Sequence, residues 1–191
     1  CLVSVQGQFA VSLQSNWNLI FTRHLLVNIE KLGFHAAPLS LMGCLAEVAQ
    51  TIQKFSEHEP HQALISSILA GDIHTSAILE PLNQDPENPL ARAQINGDQL
   101  TITGTKYLSE LASISKSLLV SVNSDEGVLL VLVDTYQANI SELTTTANTP
   151  TFKIDFEGIT IDRSAIIHAH GRGLEALRYL LQTSMVMRSY L

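Results

Sequence analysis

The hydrophobic period of this chain changes twice, and those two changes restrict what it can fold into. Ahead of residue 72 the apolar side chains recur at helical spacing. Leu25, Ile29 and Leu32 mark one helix over 17–33, with Gly33 placed as its C-cap. Leu41, Leu45, Val48, Ile52 and Phe55 follow at alternating steps of four and three and mark a second. A third is predicted from Pro60, a residue tolerated at the first helical position, through Leu64, Ile65, Ile68 and Leu69 to a stop at Gly71. From there the period is two. ARAQINGDQLTITG reads as a hairpin in which Asn96-Gly97 supplies the positive φ angles of a type I′ turn between Ala93/Ile95 and Leu100/Ile102. Leu118–Val122 and Val128–Asp134 are nearly all apolar and flank SDEG, as for strands covered on both faces. Phe152, Ile154 and Phe156 alternate with Lys153 and Asp155, the pattern of a strand with one wet face. After Gly171 the helical period returns, with Leu174, Leu177, Leu181 and Met185 on one side.

Helices, then strands, then a helix make an α+β chain and not an α/β one, because no crossover helix separates the strands. No internal repeat is visible. With 46% apolar side chains among 191 residues, there is material for a substantial core. The formal net charge is -7 and no run of Lys or Arg occurs, which disfavours nucleic acid and anionic membrane surfaces as partners. Cys1 and Cys44 alone cannot form a disulfide framework, so a reducing, cytoplasmic setting is expected. The opening CLVSVQGQFAVSL lacks a basic leader and reads as a truncated start; the rival reading is a lipid-modified Cys1.

Four stretches, in order, resemble the acyl-CoA dehydrogenase family. LLVNIEKLGFHAAPLSLMGCLAEVA is similar to the joint between two N-terminal helices, and ILAGDIHTSAILEP to the start of the β-rich middle domain, with Glu80-Pro81 retained. INGDQLTITGTKYLSELASISKSLLVSV is similar to the family hairpin, through Gly104, Thr105 and Lys106. FKIDFEGITIDRSAIIHAHGRGLEALRYLLQ resembles the closing strands and the Gly-x-Gly lead-in to the C-terminal helices, through Gly171 and Gly173. The resemblance implies the end of a helical N-terminal domain over 1–71, an antiparallel β-barrel or sandwich middle domain over 72–168, and the first helix of a C-terminal domain over 169–191. It further implies FAD as cofactor, an acyl-CoA substrate dehydrogenated between its α and β carbons, and a homo- or hetero-oligomer with a related subunit.

The residues that would touch the flavin depart from the family pattern. Where the family has a strand Thr bonded to the ring, and a Trp and a Thr around it, this chain has Leu79, Leu108 and Glu110. The ring contacts left are main-chain groups of Ile78, Leu79 and Ser109 and the aliphatic side chain of Leu108, since a backbone donor is still a donor and dispersion needs no π-face. LNQDPENP, acidic and proline-containing, replaces the family's glycine-rich anion loop and reads as a solvent loop. The family's catalytic Glu lies beyond Leu191, so no catalytic residue is expected here. The divergences resemble the small subunits of heteromeric acyl-CoA dehydrogenases. A non-catalytic partner subunit and a free-standing β-domain binding module are the alternatives.

Other candidates read as structural. His58 and His61 by Glu57 and Glu59 form a polar helix start more than a metal site, and no metal is expected. His168 and His170 point apart if extended. Glu80 is expected to cap the loop after it, GRG at 171–173 to lead into a helix, and Met185 and Met187 to sit in a core or interface.

Overall fold

The computed structural model describes residues 42–56, 58–146 and 150–188. The helix expected over 17–33, Leu41 and the side chain of Met187 lie outside them. Two helical segments run on from each other: α1, Met42–Ala49, wound in the wider i→i+5 manner, and α2, Gln50–Phe55. Val48, Ile52 and Phe55 are buried on their shared face, as the spacing predicts. Helix α3, Glu59–Ala70, has Pro60 in its first turn and ends on Gly71 at φ 108°, a left-handed cap that costs a residue without a Cβ little.

Seven strands follow: β1 His74–Ala77, β2 Arg92–Asn96, β3 Gln99–Glu110, β4 Ser117–Ser124, β5 Gly127–Asp134, β6 Asn139–Leu143 and β7 Thr151–Asp162. They form one curled sheet in the order β1-β4-β2-β3-β7-β6, with β5 also paired to β4. Helix α4, Gly173–Arg188, closes the described chain. The α+β class holds. The sheet, however, is mixed where a wholly antiparallel one was expected: β1 runs parallel to β4 from His74 opposite Ser117, and β2 meets β4 in parallel at Arg92 and Asn123.

The hairpin of β2 and β3 has the expected pairs, Ala93 with Ile102 and Ile95 with Leu100. Its turn is shifted by one residue, because Asn96 faces Gln99 and the central pair is Gly97-Asp98. Only Gly97 has a positive φ there, 62°, the sign pattern of a II′ turn and not of I′. Strands β4 and β5 pair from Ser117/Asp134 to Ser124/Gly127, as their apolar character predicts.

Those two strands separate two cores. Leu118, Val120, Val122, Val131 and Val133 point to one face and pack with Ile102, Leu100 and Ile154 from the curled sheet. Leu119 and Leu130 point to the other and meet Val48, Ile52, Ile65, Leu177 and Leu180 from the helices. Both faces of β4 are dry, which is why its sequence shows no alternation. Helix α4 is turned from the expected stripe: Ala176, Leu177 and Leu180 are buried, whereas Met185 is 73% exposed. Glycine 173 sets this docking, because a Cβ there would lie 1.7 Å from the Val128 carbonyl oxygen and 2.9 Å from His168 Nε2. Among the described residues no helix is long and apolar enough to cross a membrane.

Since the obstacle at Gly173 is main chain of β5, Gly173→Ala can be relieved only by moving α4 off the sheet. Urea unfolding should show a loss of roughly 2 kcal/mol or more. A midpoint unchanged from the parent would mean that α4 is not seated as described.

Candidate functional site

One cavity of about 540 Å3 opens where α1, β1, β3 and α4 meet. Ile78, Leu79, Leu108 and Ser109, the four residues singled out from the sequence, all line it. Its volume lies in the range of about 300–1,000 Å3 usual for small-molecule and cofactor sites.

The local chain path explains why Leu108 is there. Along β3, Leu100, Ile102 and Lys106 alternate inward. Continued by two, that alternation would put Leu108 in the core. Between Lys106 and Ser109 the pairing with β7 slips from Ile154 to Phe152, so β3 carries one extra residue. Leu108 sits in that bulge at φ 55°, 44% exposed, while Ser109 takes the inward place. Leu79, 46% exposed, adds a second apolar surface to the same cavity.

The end of β1 and the segment after it, which carries Leu79, are held to β3 by three contacts. Tyr107 N–H donates to the Leu79 carbonyl at 2.8 Å, Ser109 Oγ donates to the Ser76 carbonyl at 2.8 Å, and Lys106 Nζ donates to the Ile78 carbonyl at 3.3 Å. The main-chain oxygens of Ile78 and Leu79 and the hydroxyl of Ser109 are thus already engaged within the protein.

Behind this wall lies a buried ion pair. Lys106 is fully buried, with Nζ 2.7 Å from Glu80 Oε1 and 3.0 Å from Ser121 Oγ. Glu80 also accepts from Ala91 N–H on Oε1 at 2.8 Å, and from Leu90 N–H at 2.6 Å and Asn83 Nδ2 at 2.8 Å on Oε2. Burial pushes the Glu80 carboxyl up. The Lys106 ammonium, the two main-chain N–H groups and Asn83 outweigh burial and hold the pKa below the ordinary carboxylate value. Burial lowers Lys106 to about 8 against the pull of Glu80, which still leaves it charged at neutral pH. The expected capping role of Glu80 is what the structure shows, with the loop it secures, 81–90, lying outside the cavity.

Sequence reasoning missed a polar wall of the same cavity. Glu47, buried on α1, accepts from Ser76 Oγ on one carboxylate oxygen and from Ser184 Oγ on the other at 2.6 Å. Its signal was weak: Glu47 interrupts the stripe between Leu45 and Val48, where a charge reads as the solvated face. Lys106 lies within the hairpin motif, and its place in the alternation pointed inward, but its charge concealed the structural part it plays.

The remaining candidates have ordinary partners. His61 pairs with Ser56 Oγ through Nδ1 at 2.7 Å. His168 accepts from Leu130 N–H at Nε2, 3.1 Å, with Nδ1 2.9 Å from the Ala169 carbonyl, and burial lowers its pKa. His170 is exposed beside Glu126. Arg178 pairs with Glu87. Among the described residues no three His, Cys, Asp or Glu side chains group as a metal site.

Breaking one side of the Lys106–Glu80 pair strands the other without water. Lys106→Met should therefore cost about 3–5 kcal/mol, and the double variant with Glu80→Gln less than the two single losses together. The folded pKa of Glu80 lies below its unfolded value of 4.5, so its stabilisation is complete above that value and lost as pH falls through the lowered one. Urea titrations from neutral to acid pH should show this loss, and Glu80→Gln should flatten it.

No family model matches the chain, and no curated protein matches its sequence. Solved structures do share its shape. In the ChsE4–ChsE5 complex from Mycobacterium tuberculosis, 87% of this chain aligns with 44% of that one at 18% identity and a TM-score of 0.78. A glutaryl-coenzyme A dehydrogenase in complex with glutaryl-CoA aligns over 87% of this chain and 46% of its own at 16% identity, TM-score 0.79. A glutaryl-CoA dehydrogenase from Mycobacterium smegmatis in complex with FADH2 aligns over 74% and 38% at 18% identity, TM-score 0.67. The chain spans less than half the length of each of these proteins, and over that span its fold is that of the acyl-CoA dehydrogenases.

Proposed function

We propose that this chain is part of a FAD-dependent acyl-CoA dehydrogenase subunit, and that the cavity between α1, β1, β3 and α4 receives the flavin ring edge and the acyl chain. The observation that carries this reading is the bulge at 107–108, which holds a leucine at positive φ, half exposed, on a cavity it would otherwise turn away from. Backbone held in a sparsely populated region persists where surrounding structure enforces it, and such sites concentrate at ligand clamps.

The residues fit part of the cofactor. Leu79 and Leu108 give a planar ring two aliphatic surfaces to pack on by dispersion. Among the described residues no Lys, Arg or His lines the cavity, so this lining offers a diphosphate no cationic side chain. A bound flavin supplies the hydride acceptor for α,β-dehydrogenation of a thioester. The chain's own part is to position: Lys106 and Tyr107 fix the carbonyls of Ile78 and Leu79, and the leucines exclude water from the reacting face. The division into an N-terminal helical part to residue 71, a middle domain over 72–168 and a C-terminal helical part from 169 belongs to the same proposal, as does assembly into an oligomer with a related subunit. The similarity to the ChsE4–ChsE5 structure, itself a complex, supports that assembly. The departure at all three ring-contacting positions of the family pattern, to Leu79, Leu108 and Glu110, favours a second reading, a non-catalytic partner subunit that keeps the fold.

Titrating the complete protein with FAD separates them. Saturable quenching of flavin fluorescence is expected, and Leu108→Asp should weaken it about tenfold or more by placing a charge against the ring. No binding in the complete protein would leave the partner-subunit reading. Binding that ignores charges at both Leu79 and Leu108 would place the ring elsewhere.

A further inference from the structure

The buried histidines differ in what an added proton would do, because their partners differ. His61 bonds the Ser56 hydroxyl, and His74 lies between the hydroxyls of Ser117 and Ser67. A hydroxyl donates or accepts as needed, so those rings can gain a proton without losing these bonds. His168 has main-chain partners, whose roles are fixed. Its Nε2 accepts from Leu130 N–H at 3.1 Å, so the neutral ring carries its proton on Nδ1, which donates to the Ala169 carbonyl at 2.9 Å. Protonating Nε2 would set one donor against another in a buried place.

That bond joins the start of α4 to β5. Leu130 also accepts from Ile167 N–H at 3.1 Å, and Val131 bridges to Ile166, so the segment 166–168 takes the place of a neighbouring strand. Helix α4 begins directly over the ring: a Cβ on Gly173 would lie 2.9 Å from His168 Nε2. Later turns of the same helix bring Leu180, Leu181 and Ser184 to the cavity. The ring also lines a separate cavity of about 190 Å3, with Glu126, Leu129, Arg163, Ile166 and His170, which gives a proton a route to it.

The surrounding charges offer an imidazolium little support. Arg172, at the head of α4, and His170 oppose it. Glu126 is bonded to Arg163 through both oxygens and lies 3.2 Å from His170, and Glu175 is held by Arg172 at 2.9 Å. Burial outweighs the help of the Ala169 carbonyl and, with Arg172 and His170, lowers the pKa below the ordinary value of 6.5. The folded value thus lies below the unfolded one, so the stabilisation is complete above pH 6.5 and is lost as pH falls through the lowered value.

We propose that His168 is a pH-sensitive latch on α4. While neutral it fastens the head of the helix to β5. Once protonated it releases that end, α4 tilts from the sheet, and the cavity wall formed by Leu180, Leu181 and Ser184 moves with it. The effect on ligand binding rests on the reading of that cavity as the flavin and acyl site; the latch itself does not.

The test is amide hydrogen exchange of the complete protein, with any subunit that copurifies, at about pH 7.5 and about pH 5.5, corrected for the intrinsic exchange rate. Protection of Leu130 and of the first turns of α4 should fall about tenfold or more at the lower pH, while β2 and β3 change little. His168→Gln, which keeps an acceptor for Leu130 N–H and does not titrate, should hold that protection nearly constant, and His170→Gln should behave as the parent does. FAD should bind several-fold more weakly to the acidified parent and equally at both pH values to His168→Gln. Should that variant fail to fold, nitrogen NMR of the histidine-labelled parent decides: an Nδ1–H ring that becomes protonated as α4 loses protection supports the latch, and one that stays neutral while protection falls overturns it. Protection unchanged in the parent, or falling equally in His168→Gln, would also overturn it. Loss of protection with FAD affinity unchanged would overturn the link to the cavity. Absence of FAD binding at either pH would overturn the reading of the cavity, and the exchange data would still decide the latch.

Discussion

A lysine ammonium with no access to water holds the front of the sheet in place. Moving an ammonium and a carboxylate out of water costs several kcal/mol per ion even after relaxation, so such a pair persists only where extra hydrogen bonds satisfy both groups. Lys106 has three partners, Glu80, Ser121 and the Ile78 carbonyl, and Glu80 has three donors besides the lysine. Through them the pair joins the end of β1, the connection at 80–91 and the middle of β3 and β4. Glycine 104 lets those layers close: a Cβ there would lie 2.7 Å from Ala91 Cα, next to the N–H that Glu80 receives. The cavity wall at Ile78 and Leu79 is the outer side of this arrangement, so its geometry follows from a charge pair that lies outside the cavity lining.

How far the sequence revealed this differs from residue to residue, and the reason is physical. Helix α3 was legible to its last residue because Pro60 and Gly71 mark its ends by backbone rules that no tertiary contact overrides. The pairing of β2 with β3 followed from alternation, and its turn was misplaced by one position because Asn-Gly fits more than one turn type. Strand β6, Asn139–Leu143, was missed since it is an edge strand whose side chains are mostly exposed and so lacks a buried face to pattern. The stripe drawn on α4 was off because Leu174, Leu181 and Met185 compete with Ala176 and Leu180 for the same turn, and the close approach at Gly173 decides between them.

The four residues singled out from the sequence were legible as neighbours and not as an arrangement. Ile78, Leu79, Leu108 and Ser109 do share one cavity. Strict alternation, though, would have turned Leu108 into the core with Leu100, Ile102 and Lys106, and a bulge made of a leucine carries no glycine to announce it. Glu47 and Lys106 were passed over for the same reason in reverse: both are charged residues in buried positions, and a charge in a pattern is read as solvent-facing until its partners are known.

The fold and the rim of the cavity depend on different residues. Lys106, Glu80, Gly104 and Gly173 are constrained by burial or by backbone contact, and a change at any of them is felt throughout the sheet. Leu79 and Leu108 are half exposed, so a hydroxyl or an aromatic ring at either position would leave the cores untouched. A chain can therefore keep the acyl-CoA dehydrogenase fold at 16–18% identity while the exposed rim of its cavity is free to vary. Glu47 belongs to neither group alone. It is buried like a core residue and lines the cavity, and its serine partners come from β1 and α4, so the same carboxylate fastens the helices to the sheet.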